Sequence, residues 1–342
     1  MTQKNRVENV ELLDVSLRDG GYRNQFGFSC SNSVETVEML VSAGLRNIEI
    51  GYRNGYEGGV TARCDDDYII KLNERVPNCR LCVMVHPDKV TESDMRALRR
   101  LGIGLVRVAF PPKYRWKNNL KILQQAFDAV NICRQADLLV SANLVQASYL
   151  QEKEMLDLAH QAEKSGANFV YVADSNGNFL PNDVVGRISL LKENLSAKIG
   201  FHPHNNLSLA LSNAIAAIDS GVDIIDSSIR GYGRAAGNLS TEVFVAYLKR
   251  SRIQNSYNLV KLLELAEFWD KEMACDRMSL TPQDILFGAV NFSSPEFCRD
   301  LNDISASECI SWYELAYELG KLEPESPERL SILKVASQIR QR

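Results

Sequence analysis

Two of the four histidines, His202 and His204, stand two residues apart in Gly200-Phe201-His202-Pro203-His204-Asn205-Asn206. Residues i and i+2 of a strand point the same way, so both imidazoles can face one mouth. Converging neutral imidazoles are ready ligands for a divalent metal. The plainer alternative is a pair packed without a ligand. A second segment, Leu17-Arg18-Asp19-Gly20-Gly21-Tyr22, sets a guanidinium beside a carboxylate ahead of two glycines. These can place opposite charges in one pocket, or form an ordinary ion pair in a surface turn. A third, Gly231-Tyr232-Gly233-Arg234-Ala235-Ala236-Gly237-Asn238, carries three glycines that let backbone approach a ligand closely. The helix start after it offers unpaired N–H groups to an anion. Its bland reading is a loop whose Asn238 caps that helix.

The elements that would position these residues repeat. Eight short apolar runs are expected as strands: Leu12–Ser16, Asn47–Gly51, Leu81–His86, Leu105–Phe110, Leu138–Leu144, Phe169–Ala173, Lys198–His202 and Asp223–Ser227. Helical periodicity separates them. Val34, Val37, Leu40 and Val41 share one face, with Asn32 and Glu35 as a capping box and Gly44 as the stop. Met95, Leu98 and Leu101 repeat the pattern after Thr91, and the faintest helix is expected over Asp66–Glu74. Continuous apolar strands alternating with helices imply a parallel sheet covered on its faces, and eight units imply a (β/α)8 barrel. An open doubly wound sheet is the other solution, but no GxGxxG opens a helix after the first strand. From about Ser256 the alternation stops and helices are expected over Leu259–Met273, Pro282–Phe292, Ile310–Leu319 and Pro327–Ile339. The chain is thus read as a barrel over residues 1–255 and a helical accessory domain over residues 256–342.

In such a barrel, chemistry sits at the carboxyl ends of the strands. Closure of the ring brings the first strand beside the eighth and near the seventh, and so Asp19 towards the histidine pair. Two imidazoles and one carboxylate with open positions suit Mn²⁺ or Mg²⁺. Zn²⁺ fits less well, because no softer ligand lies in these segments. The open positions could hold a bidentate 2-oxo acid. Glu49, His86 and Arg107 also fall at strand ends, where they either orient a second fragment or are ordinary rim residues.

Composition narrows the function classes. With 342 residues, 45% apolar and 24% charged, the chain has the make-up of a globular protein. A net charge of −4 without a basic block argues against nucleic acid as a partner. No apolar run reaches the roughly 20 residues that span a bilayer, and Met1–Asn9 lacks an apolar signal core, so a cytoplasmic protein is expected. The eight scattered cysteines read as reduced thiols, and Cys79 and Cys82 form a CxxC with no second pair nearby.

Leu17-Arg18-Asp19-Gly20, His202-x-His204-Asn205-Asn206 and Gly231-x-Gly233 through Gly237-Asn238 resemble the TIM-barrel metallolyases marked by a D-R-E type first-strand motif. Within that superfamily the chain is most similar to the 4-hydroxy-2-oxovalerate aldolases. The likeness is strong over Asn205–Phe244. It extends into the tail, where Asp284-Ile285-Leu286-Phe287-Gly288 to Ser294 and Leu315 to Lys321 resemble a C-terminal helical domain. The resemblance implies metal ligation by Asp19, His202 and His204, enolate stabilisation by Arg18, and substrate contacts from Ser175 and Asn238. It also implies a homo-oligomer and docking of an acylating aldehyde dehydrogenase. Two positions depart from it: Tyr22 stands where those aldolases carry a histidine, and Phe292 where they carry a tyrosine. Gly21 replaces the glutamate of the condensing synthases, and the Gly231–Asn238 loop lacks the lyase cysteine.

The resulting expectation is a divalent-metal aldolase or lyase acting on a 4-hydroxy-2-oxo acid. Charge would move to the carbonyl oxygen as the carbon–carbon bond breaks, with Arg18 stabilising it. Tyr22 or metal-bound water would take the hydroxyl proton, which requires a phenol tuned from its ordinary value near 10. The rival readings are a Claisen-type condensation of an acyl-CoA with a 2-oxo acid, and a non-catalytic metal-binding partner subunit.

Overall fold

A computed structural model describes residues 10–253, 255–273, 280–290, 298–322 and 328–341. Eight parallel strands close into one barrel in sequence order. They are β1 (Glu11–Asp14), β2 (Asn47–Tyr52), β3 (Arg80–Val85), β4 (Leu105–Phe110), β5 (Leu139–Leu144), β6 (Phe169–Asp174), β7 (Lys198–Pro203) and β8 (Ile224–Ser227). β1 pairs with both β2 and β8, which closes the ring and excludes the open sheet.

Alternation along each strand sorts the side chains. Ile48, Ile50, Leu81, Val83, Val106 and Val140 belong to the large cluster beneath the surrounding helices. Leu13, Cys82, Leu105, Phe169, Tyr171 and Ile224 fill the barrel interior. Each such side chain contributes about 1.5–3 kcal/mol by leaving water. Gly200 is there for space: a Cβ on it would lie 2.5 Å from the Tyr171 ring.

The helices around the barrel are α1 (Cys30–Ser42), α2 (Asp66–Arg75), α3 (Glu92–Arg100), α4 (Leu120–Gln135), α5 (Glu152–Lys164), α6 (Pro181–Asn194), α7 (Ala210–Asp219) and α8 (Thr241–Arg250). α1 begins earlier than expected. Ser29, not Asn32, is its N-cap, accepting a hydrogen bond from the Asn32 amide. Thr91 caps α3 in the same manner. β1 stops at Asp14, and Ser16–Asp19 forms a helical turn where strand was expected to run to Ser16.

Among the described residues five helices follow: α9 (Leu259–Glu272), α10 (Pro282–Ala289), α11 (Cys298–Glu308), α12 (Trp312–Gly320) and α13 (Arg329–Arg340). α11 was not expected from the sequence. α9 packs into the barrel's own cluster through Leu262, Leu265 and Trp269. The buried Trp269 lies against Phe28 and Tyr232 and donates its indole N–H to Thr36. A separate cluster joins α10 to α13 through Phe287, Leu301, Ile304, Leu315, Leu319 and Ile332. Asn206, two residues past His204, donates to the Asp284 carbonyl and so ties α10 to the carboxyl end of the barrel.

No described helix is long and apolar enough to cross a membrane. The described cysteines are all free. Cys79 and Cys82 are buried and donate to the carbonyls of Arg46 and Arg80. Burial pushes the Cys79 thiol up to about 12 and that of Cys82 well above its ordinary value.

Candidate metal centre and active site

The helical turn after β1 carries Arg18 and Asp19 onto the barrel rim. Asp14 holds this turn by accepting from the amide and hydroxyl of Ser16, whose own oxygen accepts from the Ile229 amide. β7 ends at Pro203, and His204 continues it as a bridge to Asn238. Asp19, His202 and His204 therefore meet, their ligand atoms all within 4.8 Å of one another. The two Nε2 atoms are 3.2 Å apart, and His204 Nε2 is 3.9 Å from Asp19 Oδ2.

The surroundings prepare this trio to bind a cation. His202 Nδ1 donates to Asp226 Oδ2 at 2.9 Å, which leaves its Nε2 lone pair for a metal. Burial, helped by Arg234 and Arg18 and opposed by Asp19, pushes His204 well below its ordinary 6.5, so it is neutral. Burial opposes ionisation of Asp19. The Arg18 guanidinium, aided by Arg234, outweighs it and holds the carboxyl well below the usual range. Asp19 Oδ2 also accepts from Asn238 Nδ2 at 3.0 Å and from the Arg234 amide at 3.1 Å. That approach needs a glycine: a Cβ at Gly233 would stand 2.3 Å from Asn238 Nδ2 and 2.6 Å from Asp19 Oδ2. Two imidazole nitrogens and a carboxylate fit a divalent ion that accepts mixed nitrogen and oxygen donors.

Behind the trio runs a closed electrostatic circuit. Arg18 bonds Asp19 and Glu49, the latter at 2.6 Å. Arg107 bonds Glu49 at 3.0 Å and Asp226 at 2.6 Å, and Asp226 returns to His202. Burial opposes ionisation of Asp226, but Arg107 and His202 hold its carboxyl below the usual range. The Arg107 guanidinium lies over the Tyr171 ring, 4.3 Å from its centroid. Three carboxylates against two guanidiniums leave one net negative charge beside the two imidazoles. A divalent cation reverses that sign and makes the site attractive to an anionic substrate.

A cleft of about 480 Å³ opens over this centre. Arg18, Asp19, Tyr22, His86, Ser175, His202 and His204 line it. Glu49 and Arg107 do not. Both are wholly buried beneath it, where they hold Arg18 and Asp226 rather than a second fragment. Asn238 is turned to Asp19 and not to the helix, whose N-cap is Ser240. Ser175 Oγ accepts from the Gln146 amide, and its carbonyl accepts from Arg234. Phe292 lies outside the described residues.

Sequence reasoning missed Asp226, Tyr52, Tyr56 and Arg234. Asp226 carried a signal, as a carboxylate within an expected strand, directly after the apolar pair Ile224-Ile225. Tyr52 carried none. Strict alternation from the inward Glu49 would turn it outward. A bulge reverses this: Glu49 pairs with Cys82, yet Tyr52, not Gly51, pairs with Met84. The extra residue is Gly51, with φ of +143° and a Cβ position 2.0 Å from the Thr61 carbonyl oxygen. Tyr52 thus faces the cleft beside Tyr22, Tyr56 and His86.

A parallel eight-stranded barrel with an aspartate and two histidines converging at its carboxyl end defines a TIM-barrel protein with a candidate divalent-metal centre. The chain belongs to the HMGL-like family, whose model matches residues 9–268. A 4-hydroxy-2-oxovalerate aldolase of Geobacillus genomosp. 3 is 31% identical over 282 residues, covering 80% of this chain and 81% of the relative. One from Spirochaeta aurantia is 28% identical over 348 residues, covering 100% of this chain and 99% of its own. Among solved structures, HMG-CoA lyase of Bacillus subtilis superposes with a TM-score of 0.67 at 20% identity, covering 80% of this chain and 96% of that one.

Proposed function

We propose that this protein is a divalent-metal aldolase that cleaves, or forms, the bond between the pyruvate portion and the aldehyde portion of a 4-hydroxy-2-oxo acid. The observation that carries the reading is the meeting of Asp19, His202 and His204 beside an Arg18 that Glu49 anchors at the floor of an open cleft. The relatives that share most of the chain bear the name of such an aldolase.

Asp19, His202 and His204 would hold the metal, Mn²⁺ or Mg²⁺ on the balance of one oxygen and two nitrogen donors. When bound, it supplies Lewis-acid polarisation of the 2-oxo acid's carbonyl. Arg18, fixed by Glu49 and Asp19, meets the negative charge that develops on that carbonyl oxygen as the carbon–carbon bond breaks. Its position costs no reorganisation because both partners are already in place. Ser175 and His86 border the space for the two fragments, and Tyr22 handles the proton of the substrate hydroxyl. Glu49, Arg107 and Asn238 position these groups without reaching the substrate.

The condensing-synthase alternative loses ground on one observation. A Cβ at Gly21 would lie 2.2 Å from the Phe26 ring, so this backbone has no room for the synthase glutamate. Homo-oligomerisation, docking of an aldehyde dehydrogenase on the tail and residence in the cytoplasm belong to the same proposal. Their support is the resemblance of the chain to the aldolases.

The test mixes protein, Mn²⁺ and a panel of 4-hydroxy-2-oxo acids and detects pyruvate. Metal-dependent release, absent from Asp19→Ala and reduced about 10²–10³-fold in Arg18→Ala, is expected. Full turnover in Arg18→Ala would remove that arginine from enolate stabilisation.

A further inference from the structure

One wall of the cleft carries a hydrogen-bonded chain of side chains. Tyr22 Oη is 2.8 Å from Tyr52 Oη and 3.0 Å from Tyr56 Oη, and Tyr56 Oη is 3.2 Å from His86 Nε2. Ring packing holds each member. Tyr52 stacks on His86 at 5.0 Å between centroids, Tyr56 stacks on Phe26 at 5.0 Å, and Tyr22 meets Phe26 edge-on at 5.3 Å. Tyr22 and Tyr52 line the same cleft as Arg18, Asp19, His202 and His204.

Aldol cleavage must take a proton from the substrate hydroxyl, and most cleft groups cannot keep it. Arginine stays protonated, and Asp19 is committed to Arg18, Asn238 and the metal position. Tyr22 is 37% exposed, and its hydroxyl is held between those of Tyr52 and Tyr56. Burial and the two neighbouring tyrosines push it well above 10. A phenol in that condition is no standing base, but it can relay a proton by accepting one as it donates its own. His86 differs. It is half-buried, and burial pushes its imidazole below 6.5, opposed by Asp88 and assisted by Arg115 and Lys89. With Tyr52 and Tyr56 these are the titratable groups that face it, and together they leave a neutral base at pH 7.

We infer that His86 is the terminal proton acceptor of the reaction, reached from the substrate hydroxyl through Tyr22 and Tyr56. The inference rests on the aldolase reading above. In the cleavage direction the hydroxyl proton passes to Tyr22 Oη, the Tyr22 proton to Tyr56 Oη, and the Tyr56 proton to His86 Nε2. The O–H electron pair becomes the second bond of the aldehyde carbonyl, and the carbon–carbon pair becomes the pyruvate enolate. Both phenols end neutral and His86 ends as imidazolium. Return of that proton along the chain to the enolate carbon gives pyruvate and restores neutral His86. Tyr52 receives no net proton, and its bond to Tyr22 fixes the entry to the relay.

The test is the pH dependence of kcat/KM for pyruvate release with saturating Mn²⁺, in wild type, Tyr56→Phe and His86→Ala. Wild type is expected to lose activity below pH 6.5, as His86 becomes protonated. Each variant is expected to fall about 10²-fold or more and to lose that acid limb. Added imidazole is expected to restore part of the His86→Ala rate, which a purely structural histidine would not allow. Mn²⁺ affinity by electron paramagnetic resonance and Tm should match wild type, which separates a broken relay from a damaged fold. Wild-type rates and an unchanged acid limb in the variants would overturn the relay while leaving the aldolase reading intact. Mn²⁺ binding without pyruvate release from any member of the panel, in wild type itself, would overturn the aldolase reading and the relay with it.

Discussion

His202 can ligate only through Nε2, because Asp226 accepts its other ring proton. Replacing that carboxylate by an amide tests how much of the metal site lies behind the ligands. Asp226→Asn keeps the volume, removes the charge that pairs with Arg107, and weakens the bond that orients the imidazole. Mn²⁺ affinity is expected to fall about 10–100-fold, the usual cost of losing an outer partner of a ligating histidine, as isothermal titration would show. Gly233→Ala probes the opposite flank. Its Cβ would force Asn238 or Asp19 to move, so metal binding should weaken in a protein whose circular dichroism is unchanged. Unaltered Mn²⁺ affinity in this variant would mean that the loop gives way without disturbing Asp19.

Strands deliver these residues in layers, and the layers explain why buried charge is tolerated. Interior positions of β2, β4 and β8 supply Glu49, Arg107 and Asp226 just above an apolar layer containing Leu13, Leu105 and Ile224. Each charge there meets an opposite one, as burial requires. The β2 bulge then turns Tyr52 into the cleft. Gly51→Ala places a side chain in a left-handed conformation and against the Thr61 carbonyl. We expect a loss of about 1–3 kcal/mol or more, read as a lower Tm and denaturation midpoint. Catalysis should suffer as well, because the tyrosine wall would lose its register. A variant with wild-type Tm would show that the strand can relax without the bulge.

Across the folded chain, burial sets up opposing responses to pH. Burial pushes Asp14 and Asp174 up to about 7, although each accepts two hydrogen bonds. Between about 4 and 7 the folded state holds these protons and the unfolded state does not, so stability falls as pH rises through that window. Asp19 and Asp226 act in reverse. Their lowered values contribute stability above the ordinary carboxylate range, lost as pH falls below it. Asp174→Asn removes one of the first pair. Relative to wild type, its stability should rise on going from pH 4 to pH 7, by an amount on the order of a few kcal/mol. Chemical denaturation at the two values would show it, and parallel profiles would mean that Asp174 is already ionised in the folded chain.

Features that depend on local order were legible before folding. Periodicity set the number and order of the strands and of the main helices between them, though not of the tail helices, because apolar residues recur every second or every third to fourth position wherever one face meets a core. The spacing of His202 and His204, and the placement of Arg18 and Asp19 after the first strand, were legible for the same reason. The remaining features depend on contacts between distant parts of the chain. The pairing of β1 with β8, a contact spanning more than 200 residues, brings Asp19 to the histidines as the eight-unit pattern implied, while the helical turn over Ser16–Asp19 that presents it emerged only in the fold. Asn238 turns from helix cap to carboxylate partner because the loop from Gly231 folds back over Asp19. Glu49 and Arg107 left the substrate wall for the floor because interior depth depends on how far each strand runs before its loop. Tyr52 entered the site because one extra residue reversed an alternation that sequence must assume unbroken.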